Sequence, residues 1–235
     1  MQVFKGGRME QFEAGGRTVT VFKAEGRDLP ACYVPLYEDC QQALLKEIAK
    51  IPCHAHHLVC ISDLSWFSDM TPWKAELTLR HAWLFRPGAV DFLKLLAGTL
   101  VPMADEILGE KPRTRVLCGY SMAGLFSLWA STQTDLFTRI GSVSGSLWYP
   151  GFSSYLKEHG FKARPERVYI SVGDREKRAP DPQVARTEEA ARECAKTASD
   201  LGAGVRFELN SGDHGVQEIW RTARAVRALV NSRPF

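Results

Sequence analysis

Hydrophobic and polar positions along the chain follow two periods. Arg17-Thr18-Val19-Thr20-Val21-Phe22 alternates every second residue, the pattern of a half-buried strand. Residues 1–4 form a candidate strand beside it. Residues 31–36 form a third, where Pro35 removes one ladder hydrogen bond. His57-Leu58-Val59-Cys60-Ile61-Ser62 and residues 114–119, 139–144, 167–172 and 205–209 are short apolar runs suited to buried strands, which makes eight in all. Between them lie helical patterns over residues 41–50, 88–108, 122–131 and 182–201. The 88–108 run repeats Val90, Leu93, Leu96, Leu100 and Ile107 at helical spacing, and a closing helix sets Val216, Ile219, Trp220, Ala223, Val226 and Val230 on one face. Strands alternating with helices in this way build a mostly parallel sheet with helices on both faces. One α/β domain over residues 1–235 accommodates all of it, and the irregular stretch 63–87, with Trp66, Trp73 and Trp83, is left to cover a pocket.

Composition narrows the class. With 235 residues, 45% hydrophobic, 24% charged and 10% aromatic, the chain is neither disordered, nor collagen-like, nor a disulfide miniprotein. A chain of this length buries roughly 70% of its unfolded surface and needs no metal or disulfide to fold. The 30 basic and 27 acidic side chains leave a net charge of +3, which argues against a nucleic-acid partner. The opening residues, Met1 to Arg8, lack the apolar stretch of a secretory signal, and no window approaches a membrane-spanning run of about 18 apolar residues. Cys32, Cys40, Cys53, Cys60, Cys118 and Cys194 are scattered without paired spacing and read as reduced thiols. A cytoplasmic location without a membrane partner is the expectation.

The chemistry concentrates in Arg115-Val116-Leu117-Cys118-Gly119-Tyr120-Ser121-Met122-Ala123-Gly124-Leu125. A strand runs into Gly-x-Ser-x-Ala-Gly and directly out into a helix, the layout of a nucleophile elbow. Small residues at 119 and 123 let strand and helix backbones approach, and Ala123 stands where the strict motif has glycine. Ser121 also lies at a helix N-terminus, where free N–H groups favour the negative charge that develops in acyl transfer. The chain order of such sites is serine, acid, histidine. Of the two histidines after Ser121, His159 sits at the end of a surface helix. His214 sits in Asn210-Ser211-Gly212-Asp213-His214-Gly215, the loop after the last strand. After the seventh strand, Gly173-Asp174-Arg175-Glu176 offers two acids, and either Asp174 or Glu176 can accept the imidazole N–H.

With these motifs the chain resembles the α/β-hydrolase fold, and more narrowly the esterase family that includes enterochelin (siderophore) esterases, feruloyl esterase modules, S-formylglutathione hydrolase-like enzymes and mycolyltransferases. Residues 119–125, Ser142-Val143-Ser144-Gly145-Ser146-Leu147-Trp148-Tyr149, Asp69-Met70-Thr71-Pro72-Trp73, 173–176 and 212–215 carry the resemblance. It implies a serine carboxylester hydrolase with Ser121 as nucleophile, His214 as base and Glu176, or Asp174, as acid. It also implies an oxyanion hole from the backbone N–H of Met122 and a second one near Tyr37 or Glu38. Family members often have a glycine turn there, where this chain has Leu36-Tyr37-Glu38-Asp39.

A small-molecule ester is the expected partner, with no cofactor and no metal. Cys53-His54-Ala55-His56-His57 lacks a second ligand pair at zinc spacing. Trp66, Trp73 and Trp148 fall on loops above the C-terminal edge of the sheet, where ligands bind in α/β folds, and Trp73 and Trp148 are candidates to line the pocket. Arg175, with Lys177 and Arg178, stands beside the acid, where it would steer an anionic, siderophore-type or aromatic acyl group. Two other functions fit the same residues: acyl transfer to an alcohol, or a binding module that keeps the fold without turnover.

Overall fold

The computed structural model describes residues 7–231. Its strands are β1 (Arg8–Ala14), β2 (Arg17–Lys23), β3 (Ala31–Pro35), β4 (His57–Ser62), β5 (Arg115–Tyr120), β6 (Arg139–Val143), β7 (Arg167–Gly173) and β8 (Gly204–Asn210). The α-helices are α1 (Gln41–Lys50), α2 (Trp66–Asp69), α3 (Ala89–Leu95), α4 (Val101–Leu108), α5 (Met122–Gln133), α6 (Phe152–His159), α7 (Thr187–Asp200) and α8 (Glu218–Val230). The eight strands form one sheet in the order β1-β2-β4-β3-β5-β6-β7-β8. β1, β2 and β4 pair antiparallel and every other neighbouring pair is parallel. This is the mostly parallel sheet expected from the alternation of strands and helices, in the α/β-hydrolase architecture that the resemblance implies.

The period of two within each strand sorts side chains between two cores. Ala31, Tyr33 and Leu117 point to a core closed by α3 to α7, while Cys32, Val34, Val116 and Cys118 point to one closed by α1 and α8. Both faces of the central strands are therefore apolar, and these strands read as unbroken hydrophobic runs in the sequence.

Two elements differ from the expectation. The candidate strand at residues 1–4 lies outside the described residues, and the strand that flanks β2 is β1, Arg8–Ala14. β1 is a largely exposed edge strand carrying Arg8, Glu10, Gln11 and Glu13, so it has no apolar run to reveal it. Its turn, Gly15-Gly16, has both residues at positive φ (58° and 70°), as a two-residue hairpin requires. The helical run 88–108 is also not one α-helix. α3 passes through a π-helical turn, Leu96–Leu100, before α4. Pro102, in the first turn of α4, has no N–H to continue the regular ladder, which accounts for the widened turn.

Gly119 closes the β5–α5 junction. A Cβ there would lie 2.3 Å from the backbone C and O of Ala123. Gly119→Ala must therefore push strand and helix apart, and it is expected to cost about 1–3 kcal/mol of stability, measured as a lower urea midpoint at unchanged slope.

Candidate active site

The C-terminal ends of three parallel strands converge on one edge of the sheet. β5 ends at Tyr120, and Ser121 follows with φ 56° and ψ −122° before α5 begins. That left-handed backbone is unusual for a residue with a side chain and is the strained turn that exposes an elbow serine above a sheet. The turn is held by Ser121 N–H donating to Val143 O at 3.0 Å and by the N–H groups of Gly124 and Ser146 donating to Ser121 O. Met122 is the first residue of α5, so its N–H belongs to the set that has no acceptor within the helix.

β7 leads into the loop that carries Glu176, and β8 into the loop that carries His214. The two loops are pinned to each other. Asp174 N–H donates to Asn210 O at 2.8 Å, Arg175 N–H to Gly212 O at 3.1 Å, and Gly212 N–H to the Asp174 carboxylate at 2.8 Å. A Cβ on residue 173 would sit 2.3 Å from Gly212 O, so the close approach of the loops requires glycine there. His214 Nδ1–H donates to Glu176 Oε2 at 2.8 Å, which leaves Nε2 to accept the Ser121 hydroxyl at 3.0 Å. Of the two candidate acids, Glu176 meets the imidazole, and Asp174 is spent on the Gly212 N–H. Burial would raise the Glu176 pKa, but hydrogen bonds from His214, the Gly173 N–H (2.7 Å) and Ser144 outweigh it and hold the carboxyl below its ordinary value. Serine, imidazole and carboxylate bonded in this order can relay a proton in acyl transfer.

Sequence reasoning missed a buried arginine behind this relay. Arg221, on α8, has no exposed surface. It donates through one terminal nitrogen to Glu176 Oε1 (3.2 Å) and Ser144 Oγ (3.1 Å), and through the other to Ser211 O (2.9 Å). It therefore ties the acid to the start of the loop that carries His214. Tyr120 adds a second tie, its hydroxyl donating to His214 O. Burial pushes the Tyr120 pKa up to about 12, so the hydroxyl keeps the proton it donates. The signal for Arg221 was its register: it shares a helical stripe with the buried Ala225 and Leu229, where a charge needs a buried partner.

A family model described as "Esterase: Putative esterase" matches residues 68–225, the span that holds Ser121, Glu176, His214 and Arg221. The chain belongs to this esterase family. A curated relative, the uncharacterized protein YbbA of Bacillus subtilis (strain 168), is 24% identical over 184 residues, which cover 73% of this chain and 74% of the relative. An IroE-like serine hydrolase from Shewanella oneidensis superposes with a TM-score of 0.74 at 17% identity, covering 95% of this chain and 80% of the other. The siderophore hydrolase EstB from Aspergillus nidulans superposes with a TM-score of 0.72 at 18% identity, covering 97% and 96%. These likenesses show the shared fold.

Within this esterase, a cavity of about 510 Å³ opens over Ser121 and His214. β3 and the turn after it supply Val34, Pro35, Leu36, Tyr37, Glu38 and Cys40, α2 supplies Trp66 and Phe67, and α8 supplies Glu218, Ile219 and Thr222. Tyr37 stands in the wall and meets Trp66 edge to face at 5.2 Å. The segment 63–87 thus reaches the cavity through Trp66 and Phe67.

The other expected pocket residues lie elsewhere. Trp73 packs against Tyr149, Phe152 and Tyr155 and donates its indole N–H to Pro150 O. Trp148 lines a separate cleft with Arg186 and Glu193. Arg175 lines a third cleft, with Arg178, Pro180 and Asp213, which shares His214 with the cavity over Ser121. In the histidine cluster, His57 accepts the Ala24 N–H at Nδ1 and donates from Nε2 to Glu110, and His56 donates to His54 O. No helix among the described residues is long and apolar enough to cross a membrane.

Proposed function

We propose that this esterase is a serine carboxylester hydrolase working through an acyl-enzyme. Ser121 Oγ attacks the ester carbonyl as His214 Nε2 takes its proton, and Glu176 stabilises the imidazolium and fixes its tautomer. The oxyanion is held by Met122 N–H and Tyr37 N–H. Collapse of the tetrahedral intermediate expels the alcohol, which takes its proton from His214, and water then cleaves the acyl-serine by the same steps. The observation that carries this reading is the continuous bonding from Ser121 through His214 to Glu176, at 3.0 and 2.8 Å, in a chain of the esterase family.

Tyr37, Trp66 and Phe67 in the cavity wall favour an aromatic acyl group, and the likeness to a siderophore hydrolase adds siderophore-type esters to the candidate class. Arg175 is not taken as an anchor for such a group, because it lies outside this cavity. The expectation of a cytoplasmic location draws support from the free cysteines, of which Cys32, Cys60, Cys118 and Cys194 are buried.

With p-nitrophenyl acetate, a burst of about one p-nitrophenol per chain is expected, followed by slower turnover. Added alcohols that take up most of the acyl group would replace hydrolase with transferase. Absence of any p-nitrophenol release above buffer would sink both.

A further inference from the structure

Two clefts that share His214 differ in the charges that line them. Among the described residues, the side chains lining the cavity over Ser121 include two carboxylates, Glu38 and Glu218, and no lysine or arginine. Neither carboxylate has a hydrogen-bonded or ion-paired cation among the described residues. Lys46 and Lys50 line a neighbouring groove that shares Glu218, but no ion pair joins either of them to it. Arg175 and Arg178 line the other cleft that shares His214, together with Glu176 and Asp213. The same cavity wall as Glu38 and Glu218 holds four aromatic residues, the Tyr37–Trp66 pair, Phe67 and Tyr120. Aromatic faces attract quaternary ammonium and guanidinium groups, and carboxylates beside them add to that attraction.

We propose that the cavity over Ser121 selects esters whose buried half carries a positive charge on an apolar or aromatic body, with Glu38 and Glu218 as the determinants of that choice. The proposal rests on the reading of Ser121 as the nucleophile, since it takes this cavity as the seat of the scissile ester. A carboxylate-bearing group in the same place would meet two like charges with no cation to offset them, and its entry is disfavoured. Cys40, in the same wall, feels the same field: burial raises its thiol pKa, and Glu38, Asp39 and Glu218 raise it further. Glu38 and Glu218 are exposed, so solvent and salt screen them. Each is expected to contribute about three- to tenfold in selectivity at low ionic strength.

The test compares three p-nitrophenyl esters of matched size whose acyl chains end in trimethylammonium, tert-butyl or carboxylate, with the full chain at low and high salt. The expected order of kcat/KM is trimethylammonium over tert-butyl over carboxylate. The cation-to-neutral ratio of about tenfold or more should fall toward one in Glu38→Gln/Glu218→Gln and in high salt. A second readout needs no turnover: phenyltrimethylammonium should quench tryptophan fluorescence through Trp66, and do so more weakly in the double variant. No preference for the cation, or a preference that the double variant keeps, overturns the proposal. If Ser121→Ala is inactive and the cation preference is absent, the nucleophile stands and the cation site falls. If Ser121→Ala keeps its turnover while phenyltrimethylammonium binds in a Glu38- and Glu218-dependent way, the cation site stands and the nucleophile falls.

Discussion

Replacing Ser121 by alanine is expected to lower kcat on a p-nitrophenyl ester by on the order of 10⁶-fold, and Glu176→Gln by on the order of 10⁴-fold. Asp174→Asn should cost less than about tenfold. The ranking follows from where each group sits. In the proposed mechanism Ser121 Oγ bonds to the acyl group, so its loss removes the covalent route. Glu176 acts through the imidazole in that mechanism, its Oε2 accepting the Nδ1–H of His214 at 2.8 Å. An amide in its place can turn its NH₂ toward Nδ1 and stabilise the wrong tautomer, which puts a proton on Nε2 where Ser121 needs an acceptor. Asp174 accepts the Gly212 N–H and lies 3.9 Å from Arg175 Nε, so its replacement loosens the loop without changing the imidazole. Steady-state kinetics on the three variants, with circular dichroism to show that each is folded, checks the ranking. Equal losses for Glu176→Gln and Asp174→Asn would contradict the assignment of the acid.

Arg221→Met is expected to destabilise the fold by about 3–5 kcal/mol, the largest effect on stability anticipated for a single side chain here. Removing the guanidinium leaves the Glu176 carboxylate, 3% exposed, facing an apolar group on one side, and strips the Ser211 carbonyl of its donor. The buried Arg221 Nε itself lacks a hydrogen-bond partner among the described residues, so the residue is held by its two terminal nitrogens. The double variant Glu176→Gln/Arg221→Met removes both charges. Its loss of stability should be well below the sum of the two single losses, because an unpaired buried charge is what the single variant suffers from. Urea unfolding of the four proteins measures this coupling. A loss below about 1 kcal/mol for Arg221→Met would show that the guanidinium is not needed where it stands.

What the sequence disclosed depends on the range of the interaction. The central strands were legible because both of their faces are buried, and Gly119-Tyr120-Ser121 because the elbow is a local backbone problem that only a small residue at 119 solves. The order of serine, acid and histidine along the chain was legible too. It could not separate Asp174 from Glu176, since both lie in one short loop and only its three-residue 3₁₀ turn, Glu176–Arg178, decides which carboxylate faces His214. β1 escaped because an edge strand with one half-wet face has no hydrophobic run, although Gly15-Gly16 marked its hairpin. Trp73 and Trp148 were expected in the pocket on the strength of their loops. Whether a loop tryptophan turns toward the cavity or into the aromatic cluster around Tyr149 is a tertiary matter that sequence position does not fix. Arg221 was hidden for the opposite reason: a single charge on an amphipathic helix reads as solvated unless its register is compared with Ala225 and Leu229.

The assignment of Ser121 as the nucleophile is tested most directly by treating the full chain with a fluorophosphonate and mapping the adduct by mass spectrometry. One phosphonyl group per chain is expected, carried on Ser121 and absent from Ser121→Ala. Its formation should be slowed by on the order of 10³-fold or more in His214→Ala, which lacks the base. An adduct on any other residue, or labelling of Ser121→Ala at the rate of the intact protein, would contradict the assignment.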